Sequence, residues 1–249
     1  LIKIEHLYKR YGRLTAVEDL NLEVGAGEIF GFLGPNGAGK TTTLKILTGL
    51  LLPTSGRASI GGFDVVRESS QAKRLTSLIP DRPYLYEKLT PVEYLRFVAG
   101  LYGLEGPETE KRAEEYLELF GLLPWRDELI EGFSHGMKQK VVMAGALLPR
   151  PRALIVDEPM VGLDPAAAKL VKDLFSKLSR EGVTIMLSTH TLEVAQKLCH
   201  RIGIIHRAKL IALGTLEELR GRTGQGDVDL ESVFLELTGS AREAPEAIP

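Results

Sequence analysis

The chain has 249 residues, 44% hydrophobic and 26% charged, which allows one large domain or two small ones around a sizeable core. Lys plus Arg total 31 against 33 Asp plus Glu, so the net charge of −2 supplies no global field for nucleic acid or an anionic membrane. No run free of these four residues exceeds 11, short of the roughly 20 that a membrane span needs, and the single cysteine, Cys199, permits no internal disulfide.

Residues 1–5 read as a strand start and not a secretory leader, because Lys3 and Glu5 interrupt the apolar pattern. Residues 20–24 and 28–33 read as further short strands, with a turn at Gly25 to Gly27. Gly34 to Gly39 is a glycine-rich loop, and 40–49 reads as a helix ended near Gly49 and Pro53. Strands at 57–60 and 76–79 bracket a polar segment. From 90 to about 150 the periodicity is helical, with no convincing strand. Thr90, Pro91 and Glu93 form a capping box with proline at the first helical position. A second helix covers 108–120 and stops at Gly121, and a third opens at Ser134 and runs to about 148. Alternation of strand and helix then resumes, with strands at 153–157, 183–188, 201–206 and 209–213. Asp164-Pro165 opens a helix that closes at Gly182, and Thr215 with Glu218 forms a second capping box. Cys199 reads as a structural residue on a helix, and Ser240 to Pro249 as a frayed tail. The pattern predicts a parallel-sheet core with an inserted helical block.

Gly34-Pro35-Asn36-Gly37-Ala38-Gly39-Lys40-Thr41 fits the P-loop pattern between a strand and a helix. Glycines let successive N–H groups turn inward as an anion nest, and the helix adds the positive end of its dipole. Lys40 can reach the β- and γ-phosphates, and the Thr41 hydroxyl can ligate Mg²⁺. No Asn-Lys-x-Asp tetrad is present, which favours adenine over guanine. Ala153 to Asp157 is an apolar strand ending in Asp157-Glu158. Beside a P-loop the first acid can hold Mg²⁺ through water, and the second can act as general base.

Taken in order, the motifs resemble those of the ATP-binding cassette ATPases, specifically the nucleotide-binding subunit of an ABC transporter, over about residues 1–239. Phe133-Ser134-His135-Gly136-Met137-Lys138-Gln139 resembles the signature segment, Gly162-Leu163-Asp164 the D-loop, and Ser188-Thr189-His190 the switch histidine. Tyr11 matches the aromatic that stacks on adenine, although alone it reads as a packing aromatic at a strand end. The resemblance implies an α/β fold: a RecA-like P-loop core with a mostly parallel sheet, an antiparallel β arm and an inserted α-helical subdomain. It divides the chain into a core with β arm (1–89), a helical subdomain (90–150), a second core segment (151–214) and a C-terminal helical extension and tail (215–249). It implies Glu158 and His190 as catalytic, and Tyr11, Gly34 to Thr41, Thr42, Ser134 and Gly136 as nucleotide-binding. ATP and Mg²⁺ are the implied ligands, with Thr41, Asp157 and Asp81 at the metal. Implied partners are a second copy, packed head to tail so that Ser134 and Gly136 close over the other copy's γ-phosphate, and an integral-membrane permease. No nucleic acid is expected. The implied location is cytoplasmic, peripheral on the inner face of the cell membrane, and the implied role is export.

Three positions depart from the common pattern. His135 stands where the signature usually has its first glycine, and Met137 where it has glutamine. Asp81 falls near the expected Q-loop glutamine, either as a metal or water ligand or as a solvated loop acid. The carboxyl stretch Leu230 to Gly239 resembles the tail of ABC-2 exporter subunits and equally suits an amphipathic packing helix. A soluble ABC protein that remodels ribosomes or DNA is the rival reading, but this chain has one cassette and no sustained heptads. A small-molecule kinase would not need the signature segment.

Overall fold

The computed structural model describes residues 1–222 and 230–239. A six-stranded sheet forms the centre, in the order β10-β9-β3-β8-β7-β6. These strands are β3 (Ile29–Leu33), β6 (Thr76–Ile79), β7 (Ala153–Asp157), β8 (Thr184–Thr189), β9 (Arg201–His206) and β10 (Lys209–Gly214). All pair in parallel except the β9–β10 hairpin at one edge. The central strands β3, β7 and β8 are buried along their whole length, as expected of parallel strands covered on both faces.

Alternate residues of these strands enter different cores. Leu154 and Val156 of β7 join Ile185 and Leu187 of β8 on the face covered by the helical block. Ala153 and Ile155 join Phe30 and Phe32 of β3 on the face covered by helix α1 (Lys40–Leu47) and the β arm. That arm is a four-stranded antiparallel sheet of β1 (Ile2–Tyr11), β2 (Leu14–Val24), β4 (Ser55–Ile60) and β5 (Phe63–Asp64), in the order β2-β1-β4-β5.

Two arm strands are longer than the sequence suggests. Strand β1 runs to Tyr11 instead of ending at 5, and β2 starts at Leu14 instead of 20. The register slips between Ile4 and Leu7, where His6 (φ 47°) and its neighbour across the ladder, Asp19 (φ 48°), take left-handed conformations. A bulge shifts the inward-facing positions from Ile2 and Ile4 to Leu7, so the two-residue alternation breaks and the sequence pattern of a strand ends early. The supposed polar segment before β6 holds β5 and helix α2 (Ser69–Leu75).

The helical block is as expected: α3 (Pro91–Leu101), α4 (Pro107–Leu119) and α5 (His135–Leu147), with short 3₁₀ turns between the last two. Both bonds of the Thr90–Glu93 capping box are present. Helix α6 (Pro165–Arg180) is capped by Asp164, whose carboxylate accepts from Ala167 N at 2.9 Å. A short helix missed in the sequence, α7 (Leu192–Leu198), follows β8 and ends at Cys199, which is its C-cap and not a helical residue. The Thr215–Glu218 capping box opens α8 (Leu216–Arg222). Helix α9 (Leu230–Thr238) buries Leu230 and Val233 against Leu33, Ala195 and Leu219, the packing role allowed for its sequence. The tail expected over 240–249 lies outside the described residues. Among the described residues no helix is long and apolar enough to cross a membrane.

Candidate functional site

The carboxyl edge of the central sheet gathers the motif residues. Strand β3 delivers Gly34 to Gly39 from Leu33, which pairs with Thr189, and Asp157 at the tip of β7 pairs with Ser188. In open α/β sheets this edge is where ligands bind. Tyr11, Asn36, Gly37, Gly39, Lys40, Thr41, Thr42, Asp81, Asp157 and Glu158 line one cleft of about 320 Å³ there. Gly34, Pro35 and Ala38 complete the loop behind it without lining it.

Gly39 is the N-cap of α1 at φ 114°, and a Cβ there would lie 2.2 Å from Ala16 O, so only glycine closes this turn. Lys40 is 6% exposed, and its ammonium donates to Gly34 O at 2.7 Å and Pro35 O at 3.2 Å. Burial holds its pKa below the usual lysine range, opposed by the carboxylates of Glu158 and Asp157. It forms no ion pair among the described residues. A buried cation without a contacting carboxylate suits an anionic ligand.

Asp157 is 4% exposed, and Ser188 Oγ donates to its carboxylate. Glu158 leaves the strand at φ 47°, a conformation that turns its side chain out of the strand's alternation, with Glu158 N held by Ser188 O at 3.1 Å. Glu158 Oε1 lies 2.8 Å from His190 Nδ1. An ionised carboxylate carries no hydrogen, so this contact is a hydrogen bond when Nδ1 is protonated. Thr41, Asp81 and Asp157 offer only oxygen donors. Among the described residues no group of three or more His, Cys, Asp or Glu converges on one point. An all-oxygen donor set suits Mg²⁺, a hard cation bound through one or two carboxylates with water and phosphate completing its shell.

Ser134 and Gly136 do not line this cleft. Ser134 is exposed and caps α5, its hydroxyl accepting from Met137 N at 3.2 Å. His135 packs on Gly162, at the level of the segment between Glu158 and α6, as a Cβ on Gly162 would lie 2.3 Å from its Cδ2. Sequence reasoning missed Ser188 as the partner of Asp157, and Leu14 and Ala16 as cleft-lining residues. Ser188 becomes apparent only once β7 and β8 are known to be neighbours. Leu14 could have been found as the hairpin partner of Tyr11.

A family model described as "ABC transporter" matches residues 17–161. The linearmycin resistance ATP-binding protein LnrL of Bacillus subtilis (strain 168) is 38% identical over 231 residues, covering 93% of this chain and 74% of that protein. The solved ATP-binding subunit of an ABC transporter superposes with a TM-score of 0.91 at 36% identity, over 96% of this chain and 99% of the other. A dimeric ATP-binding cassette in a post-hydrolysis state, bound to ADP and Pi, superposes with a TM-score of 0.80 at 26% identity, over 87% of this chain and 99% of the other.

Proposed function

Because the chain belongs to the ABC transporter family, as an ATP-binding and ATP-hydrolysing subunit, we propose that two copies bind two ATP molecules between them, head to tail, and so drive a separate membrane permease. The observation that carries this is the meeting of Lys40 and Glu158 in one cleft, with His190, which does not line it, contacting Glu158 at 2.8 Å. Lys40 and the N–H groups of Gly34 to Thr41 hold the β- and γ-phosphates. Thr42 supports the same end of the cleft, and Tyr11 stacks on the adenine. Thr41, Asp157 and Asp81 would hold Mg²⁺, which would neutralise the negative charge of the phosphates.

Glu158 is the general base. His190 engages Oε1, which leaves Oε2 to take the proton of the attacking water. His190 also orients that carboxylate toward the γ-phosphate. Ser134 and Gly136 stand outside the cleft of their own chain, which supports their serving the partner copy. The exposed N-terminus of α5 is suited to a phosphate.

The helical segment 90–150 carries that second half-site, and residues 1–89 with 151–214 carry the first. A groove of about 340 Å³ beside the cleft, lined by Pro80, Asp81, Tyr84, Leu101 and Tyr102, is where we place the permease, at the inner face of the membrane. The resistance role in the name of the Bacillus relative supports export.

Mixing Lys40→Ala and Ser134→Ala copies tests the arrangement. Each variant alone is inactive. Random pairing makes half the dimers hybrid with one intact site each, so activity returns to about a quarter of native. No recovery on mixing, with each variant still hydrolysing ATP as a monomer, refutes the composite site.

A further inference from the structure

Lys9 and Tyr11 stand two residues apart on β1, so the pleat places both side chains on one face. The Lys9 ammonium lies 5.0 Å from the centroid of the Tyr11 ring. It also donates to Leu52 O at 2.9 Å. Leu52 belongs to the stretch that leaves α1, the helix whose N-terminus carries the phosphate loop. Two further bonds fasten this stretch to β1: Thr54 N donates to Tyr8 O at 2.8 Å, and Arg10 N to Thr54 Oγ1 at 3.0 Å. Lys9 forms no ion pair among the described residues. Its ammonium is therefore directed by a carbonyl and a ring face and not by a carboxylate.

We propose that Lys9 is the positioning residue of the base platform: it occupies one face of Tyr11, fixes the ring relative to the phosphate helix, and leaves the opposite face for the purine. A cation on one face of a phenol ring draws π density toward itself. The free face becomes less negative and receives an electron-rich purine more favourably. The tie to Leu52 sets the distance between the platform and the phosphate loop, so base and triphosphate meet surfaces already in register. The inference rests on the reading that Tyr11 stacks the base, and the experiment separates the two.

The measurement is a double-mutant cycle on the full chain, with KM and kcat for MgATP and, in a second arm, the binding of inorganic tripolyphosphate. Lys9→Met keeps the alkyl stem and removes the charge. It raises KM for ATP about two- to fivefold, the size of an exposed cation–π contact, with the loss in KM and not in kcat. Lys9→Arg restores KM, since a guanidinium also stacks on the ring. In a Tyr11→Ala background Lys9→Met has no further effect, and tripolyphosphate, which has no base, binds native chain and Lys9→Met alike. If Tyr11→Ala raises KM but Lys9→Met costs the same fold with and without the ring, or weakens tripolyphosphate equally, Lys9 acts as a plain charge and the proposal is overturned. If Tyr11→Ala leaves KM unchanged, the stacking reading itself is overturned, and the proposal with it.

Discussion

Glu158 and His190 each follow the last residue of neighbouring parallel strands, and their side chains meet at 2.8 Å across the gap. One carboxylate oxygen thereby has a fixed partner, and Glu158 lines the cleft. Replacing Glu158 by Gln keeps the shape and removes the proton acceptor. We expect hydrolysis to fall at least about a hundredfold, the size of a general-base contribution, while ATP binding persists and an ATP-bound dimer accumulates. Single-turnover hydrolysis and sedimentation in MgATP read this out. Native turnover in the variant would remove Glu158 from its role.

Asp157 is buried, and Ser188 supplies a hydrogen bond that needs neither metal nor nucleotide. In Ser188→Ala the carboxylate loses that donor. Leaving a buried acceptor unpaired costs about 1–3 kcal/mol. The expected result is a lower Tm without ligand and a larger rise on adding MgATP than in the native chain, because bound Mg²⁺ takes over the stabilisation. Equal shifts in both proteins would place the metal elsewhere.

The phosphate loop, the acidic strand tip and the capping boxes at Thr90 and Thr215 were legible because each is a short pattern with a local physical cause. Lys40, Asp157 and Glu158 therefore reach one cleft as their spacing suggests. The β arm was harder. Its bulge at His6 and Asp19 shifts the phase of the apolar alternation, and periodicity cannot see past a phase shift. The Ser188 contact, the lining role of Ala16 and the packing of His135 on Gly162 were invisible for a different reason. Each joins residues distant in sequence, and which strand or loop lies next to which is a property of the topology.

Gly162 adopts φ +77°, and a Cβ there would meet His135 at 2.3 Å from Cδ2 and 2.9 Å from Nε2. Gly162→Ala thus imposes two penalties, backbone strain of about 1–2 kcal/mol and a collision. His135→Ala in the same chain removes the collision and leaves the strain. We expect urea unfolding to show Gly162→Ala destabilised and the double variant partly recovered. A double variant no more stable than Gly162→Ala alone would show that the imidazole yields freely and does not hold this loop.

Asp81 lines the cleft beside Asp157 and is exposed. Asp81→Gln restores the residue that the family pattern has at this position, keeping an oxygen but losing a charge. If Asp81 serves the metal, half-maximal activity should require several-fold more Mg²⁺, since a hard cation loses an anionic ligand. An unchanged Mg²⁺ dependence assigns Asp81 to the solvated loop instead.

Two half-buried acids packed against the core, Cys199 and Tyr94, make stability depend on alkaline pH. Burial pushes the Cys199 thiol from 9.0 up to about 12, and the Tyr94 phenol from 10.0 up to about 12. In both, the folded state retains a proton that the unfolded chain releases. Above pH 9.0 the unfolded chain binds fewer protons at Cys199, so stability is complete below that pH and falls as pH rises toward about 12. The slope approaches about 1.4 kcal/mol per pH unit for each such group. Tyr94 adds its share only above pH 10.0. Cys199→Ala should therefore lose less stability than the native chain between pH 8 and 10, about 1 kcal/mol less, and run parallel to it below pH 8. Urea unfolding at pH 7, 8, 9 and 10 gives both curves. Parallel curves over the whole range would mean that the thiol ionises as readily in the folded chain as in the unfolded one.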